Sequence, residues 1–219
     1  MMDWQGVVQG VTIWALPVML AVVLHEVAHG WVADRLGDST ARWLGRLSLN
    51  PLRHIDPLGT IGIPLLLLVI GAPFVFGYAK PVPVNFARLN HPKRDMVWVA
   101  LAGPCANIGL LFVSTLLLWC VAHLPVHVEW LTEPLGLMCQ ASIMINLVLC
   151  LFNLLPLPPL DGGRVAVGML PPAAARVLAR IEPYGFLILV LLLVSGVFQH
   201  TLAPLVFGLS EALIAWAMG

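Results

Sequence analysis

Three stretches decide what this chain can fold into. Residues 11–33, 96–122 and about 135–155 are apolar almost without interruption, and Glu26 is the one Asp, Glu, Lys or Arg within them. A hydrocarbon core about 30 Å thick is crossed by roughly 20 apolar residues in a helix, and lipid offers the backbone no partners of its own. Such runs therefore read as transmembrane helices. Two shorter apolar runs, residues 184–198 and 202–218, close the chain. Residues 61–75 are apolar too, but Gly62, Pro64, Gly71 and Pro73 interrupt them. The expected fold is an all-α polytopic membrane protein with about five transmembrane helices and one re-entrant or membrane-embedded hairpin. A single domain is expected over residues 1–219, with a core at about 10–165 and C-terminal helices at about 184–218.

Composition narrows the partners. Only 10% of residues are charged, against roughly a quarter in a soluble domain. Net charge is zero and no basic run exists, so the bilayer is the expected partner and nucleic acid is not. Cys105, Cys120, Cys139 and Cys150 lie in apolar segments without C-x-x-C pairing and read as small hydrophobes. The chain's start has neither a positive n-region nor an A-x-A site, so no cleaved leader is expected.

Within the first apolar run stands His25-Glu26-Val27-Ala28-His29, an H-E-x-x-H. On a helix, residues four apart share a face, so His25 and His29 can offer imidazole nitrogens to one metal ion. Glu26, one position round, then borders its open coordination site. Zinc lowers the pKa of its bound water to about 7, and an adjacent carboxylate can take that water's proton. An ionisable residue at bilayer depth costs on the order of 2.5–3.5 kcal/mol. Helix packing alone would not offset three polar or ionisable groups in five residues.

A catalytic zinc held by two histidines takes a third protein ligand. The candidate is Asp161, in Leu154-Leu155-Pro156-Leu157-Pro158-Pro159-Leu160-Asp161-Gly162-Gly163, where prolines and glycines break the helix. Broken backbone at membrane depth is tolerated where it lines a protein cavity. A plain helix-terminating turn is the other reading of D-G-G. His54 and Asp56, in HIDPLGT, are competing ligands, although Asp56-Pro57 and Gly59 read more simply as a turn. His91, His123, His127 and His200 have no partners at ligand spacing and read as solvated. Asn107 and Asn153 are polar groups in apolar runs, able to join helices or to hydrogen-bond a substrate backbone.

HEVAHG at 25–30, AGPCAN at 102–107 and NLLPLPPLDGG at 153–163 together resemble the site-2 protease family of intramembrane zinc metalloproteases. The resemblance covers about residues 10–165. It implies that His25, His29 and Asp161 bind one zinc per chain, that Glu26 is the base, and that Asn107 and Asn153 act near the site in substrate binding. The sequence departs from larger members in having no room for a PDZ or CBS domain.

Charge sets the topology. Arg35, Arg42, Arg46 and Arg53 precede residues 61–75, while Lys80, Arg88, Lys93 and Arg94 follow them. A true span there would put these two basic loops on opposite sides, against the positive-inside rule. It would also hold His29 and Asp161 apart by most of a roughly 30 Å core. A re-entrant hairpin removes both objections. All basic loops, including the one with Arg164, Arg176 and Arg180, then face the cytoplasm, and the site lies toward the cytoplasmic leaflet of a bacterial cell membrane.

The expected function is intramembrane endopeptidase, hydrolysing a peptide bond in or near a transmembrane segment of another protein. Val82-Pro83-Val84-Asn85 presents either an extended edge for strand addition or a stiff connector. A membrane metal-ion transporter or channel is the rival from another class, and would spread polar residues through several spans. A catalytically inactive binder of transmembrane segments is the second rival, and the intact Glu26 speaks against it.

Overall fold

The computed structural model describes residues 4–69, 77–125 and 128–219. Residues 70–75 of the expected hairpin and His127 lie outside them. The described residues are helical wherever they are regular. Helix α1 (Trp4–Arg35) ends at Gly37, whose φ of 112° is open to glycine without strain. The Gly37 and Asp38 amides there donate to Asp34 O at 3.4 Å and Ala33 O at 2.9 Å, a Schellman closure. The short α2 (Thr40–Trp43) follows. Next come a 3-10 turn at Pro51–His54, a π-helical turn at Pro57–Gly62 and α3 (Ile63–Val69).

The ends of the interrupted apolar stretch meet. The Tyr78 amide donates to Gly59 O at 3.0 Å and the Lys80 amide to His54 O at 2.8 Å, while the Thr60 hydroxyl donates to Tyr78 O at 3.0 Å. The chain therefore leaves and returns at one place, as a hairpin must.

Helix α4 (Pro92–Ala122) starts with proline at its first position, and the Asp95 carboxylate accepts the His91 amide at 2.8 Å. It packs against α1, α5 (Glu129–Asn153), α6 (Asp161–Met169) and α9 (Val197–Met218), and is the central helix. Between α6 and α9 lie α7 (Pro172–Ala179) and α8 (Glu182–Val194), bent by 62° at their junction. Among the described residues four helices are long and apolar enough to cross a membrane: α1 from Val8, α4, α5 and α9. The α7–α8 pair supplies the fifth only if counted as one broken span.

Contacts at the ends show how that pair runs. Phe152, at the end of α5, packs on Phe198, at the start of α9, with ring centroids 5.4 Å apart. Helix α8 begins beside the Pro158–Pro159 turn, where a Cβ on Gly185 would fall 2.0 Å from Pro158 O. It thus starts and finishes near the same end of the bundle, and its 13 residues reach only about 20 Å. Of the two C-terminal apolar runs, α9 is long and apolar enough to cross by itself and α8 is so only together with α7, which makes four or five spans among the described residues. Residues 35–94 and 164–180 carry all 11 lysines and arginines. All four cysteines are free.

Candidate metal centre

The H-E-x-x-H helix and α4 run antiparallel, and one stripe of α4 faces the two histidines. Val99, Gly103 and Asn107 are spaced by four residues, so they share a face. The Val99 carbonyl lies 2.7 Å from His29 Nδ1, and Asn107 Oδ1 lies 2.6 Å from His25 Nδ1. Between them, a Cβ on Gly103 would fall 2.4 Å from His29 Nε2 and 2.5 Å from His25 Cε1. Glycine is therefore the residue that lets both rings, set edge to face at 83° to each other, approach α4 this closely.

These contacts settle where the ring hydrogens are. A carbonyl only accepts, so His29 Nδ1 carries its hydrogen, and in the neutral imidazole a metal needs, Nε2 keeps a lone pair. Asn107 Nδ2 donates to Ala21 O at 3.2 Å and to Asn146 Oδ1 at 2.8 Å, which turns Asn107 Oδ1 toward His25. His25 Nδ1 is then also a donor, and its Nε2 is bare. The two Nε2 atoms lie 3.0 Å apart.

Asp161 completes the group. After α5, the prolines at 156, 158 and 159 stop the helix, and α6 restarts at Asp161 itself. Its first turn presses on the preceding loop, since Cβ atoms on Gly162 and Gly163 would fall 2.2 Å from Leu154 O and from Pro158 N. Asp161 Oδ2 lies 3.2 Å from His25 Nε2 and 3.3 Å from His29 Nε2. It is buried and receives no hydrogen bond. Zinc with bonds of about 2.0–2.1 Å sets tetrahedral ligands about 3.3 Å apart, so the three separations fit one such ion. Among the described residues this is the one His/Cys/Asp/Glu group able to hold a metal.

Glu26 accepts the Val82 amide on Oε2 at 2.7 Å. It borders a cavity of about 510 Å³ whose walls include Val22, Leu149, Phe152 and Leu189 together with Tyr78 and Val82. The competing ligands serve turns. His54 donates from Nε2 to Ser48 O at 2.8 Å, and Asp56 caps the Leu58 and Gly59 amides at 3.0 and 2.7 Å. Asn153 lines the cavity and donates from Nδ2 to Leu149 O at 2.9 Å. Asn107, expected in substrate binding near the site, is 0% exposed, does not line the cavity, and engages its amide with His25, Ala21 and Asn146. Sequence reading passed over Gly103 and the Val82 amide. The spacing of Gly103 and Asn107 in AGPCAN was a signal for the first, and a lone amide between two prolines for the second.

The model of Peptidase family M50 matches residues 129–196. Over 191 residues, 87% of this chain and 84% of the relative, the sequence is 39% identical to YwhC of Bacillus subtilis. It is 31% identical over 192 residues to Rip2 of Mycolicibacterium smegmatis, covering 86% of this chain and 69% of that one. Rip2 of Mycobacterium tuberculosis is 30% identical over 181 residues, 81% of this chain and 64% of that one. All three are named as candidate zinc metalloproteases. No solved structure matches.

Proposed function

The chain belongs to peptidase family M50, the site-2 protease family of membrane zinc proteases, and from that premise we propose that it cuts a transmembrane segment of another protein at the His25/His29/Asp161 site. One observation carries the reading: two bare imidazole nitrogens and an unpartnered carboxylate oxygen converge within 3.3 Å of one another, beside an apolar cavity.

Zinc, one per chain, would be held by these three atoms and would supply a Lewis acid and a water acidified to a pKa of about 7. The chain's own groups do the rest. Asn107 and the Val99 carbonyl hold the imidazoles in the tautomer that leaves Nε2 free. Glu26 takes a proton on its carboxylate from the attacking water and returns it to the leaving amide nitrogen. The apolar walls exclude bulk water and receive a hydrophobic peptide. A helix hides its amides in i to i−4 bonds, so the cut stretch must be unwound and its freed groups satisfied. The Val84 amide, with no partner among the described residues, and the Asn153 carbonyl oxygen are available for that. In a bacterial cell membrane, positive-inside orientation puts the basic end, and with it the site, toward the cytoplasm.

The test is cleavage by detergent-purified protein of a panel of single-span substrates, with cuts mapped by mass spectrometry. Cuts within or beside the span, abolished by a zinc chelator and by Glu26→Gln while that variant keeps its zinc, are expected. Loss of zinc in Glu26→Gln would overturn its assignment as base, and chelator-insensitive cuts would overturn the metalloprotease reading of this site.

A further inference from the structure

We infer that the backbone amide of Val82 positions the Glu26 carboxylate, so that the connector at residues 80–85 belongs to the acid–base apparatus as well as to the cavity wall. The inference rests on the role proposed above for Glu26. A carboxylate at membrane depth needs a donor to hold it in one orientation. Among the described residues the Val82 amide is that donor, at 2.7 Å. Pro81 and Pro83 have no N–H, so no neighbouring amide can substitute for it, and the residue before a proline is held extended.

The rest of the connector is built to bring that single amide to Glu26. At one end the Lys80 amide donates to His54 O at 2.8 Å, and Arg46 Nη2 donates to Lys80 O at 2.9 Å and to Pro81 O at 3.3 Å. At the other, the Asn85 amide donates at 2.6 Å to Oδ2 of Asp38, which is 0% exposed. Gly30, one turn beyond Glu26, makes room: a Cβ there would fall 2.6 Å from Val82 Cγ1. Features that zinc ligation leaves unexplained, namely the K-P-V-P-V-N string, buried Asp38, Arg46, His54 and the glycine closing HEVAHG, thus converge on one hydrogen bond. With Oε2 occupied by the amide, Oε1 is the oxygen left for proton transfer.

The amide hydrogen can be removed alone by replacing Val82 with its α-hydroxy acid, which puts an ester in the backbone of the zinc-loaded full-length protein. Because an ester also weakens Pro81 O as an acceptor, Val82→Pro, which spares that carbonyl, is the second variant. Expected for both is a kcat lowered about tenfold or more, since general-base catalysis contributes typically 10²–10⁴-fold and depends on placement. KM should stay within about twofold of wild type, and zinc per chain should be unchanged. A readout independent of cleavage is the Glu26 carboxylate stretch in the infrared spectrum, identified by its loss in Glu26→Gln, which should shift in the ester protein. An unshifted band overturns the inference even if wild type cuts no substrate tried. So does an unchanged kcat in both variants, or a kcat loss that merely follows lost zinc, because the amide would then support the metal site rather than the base.

Discussion

Replacing Gly103 by alanine adds one methyl group, and the structure says where it would go. Its Cβ would lie 2.4 Å from His29 Nε2 and 2.5 and 2.6 Å from His25 Cε1 and Nε2. Nonbonded heavy atoms rest about 3.5–4.0 Å apart, so rings or helix must give by about 1 Å. The rings cannot pivot freely, because each is bonded through Nδ1 to α4, at Asn107 and at Val99. Metal-ligand distances hold only within about ±0.2 Å, several times less than that displacement. Loss of an outer-shell partner typically costs 10–100-fold in metal affinity, and moving both ligands should reach at least the upper figure. Zinc affinity is therefore expected to fall about 100-fold or more, about 2.8 kcal/mol at about 1.4 kcal/mol per factor of ten. The assay is zinc competition against a chromophoric chelator, with thermal melting of the metal-free protein alongside. Alanine is a better helix former than glycine by about 0.8–1.0 kcal/mol, so the metal-free protein should not be destabilised comparably. Zinc affinity within about threefold of wild type would refute the claim that Gly103 shapes the site.

Two further outcomes follow from the same geometry. Asn107→Leu removes the acceptor that fixes the His25 tautomer, and zinc affinity should drop 10–100-fold in the same competition assay. In a background lacking the four native cysteines, single cysteines at Ser48 and Asn90 should show one sidedness toward a membrane-impermeant thiol reagent, and those at Val128 and Gly219 the other. Opposite labelling of Ser48 and Asn90 would make the interrupted stretch a true span, and Gly219 labelling with Ser48 would make α8 a crossing.

The parts of this molecule that could be read from sequence are those whose signal lies in side chains at fixed spacing. H-E-x-x-H puts two imidazoles on one face in any helix, and three prolines just before D-G-G break the helix so that a new one opens at Asp161. Loop charge was enough to argue for the hairpin, and the meeting of Tyr78 and Lys80 with Gly59 and His54 gives the physical form of that argument. Hydropathy reports how apolar the α8 run is but not which way it goes. Its course is set by Gly185 against Pro158 and by the Phe152–Phe198 contact, neither of which has a periodic signature. Asn107 was legible as a polar residue in an apolar helix, yet its partner belongs to the register between α1 and α4. The Val82 contact is made by backbone, and only the flanking prolines mark it in the sequence.

The central claim is that His25, His29 and Asp161 hold one zinc. It is tested most directly by counting zinc per chain, by elemental analysis, in purified wild type and in single alanine variants. The account predicts one zinc in wild type and marked loss in each of His25→Ala, His29→Ala and Asp161→Ala, with His54→Ala and Asp56→Ala unchanged. Full zinc in Asp161→Ala, together with its loss in His54→Ala or Asp56→Ala, would contradict it and move the third ligand to the turn after α2.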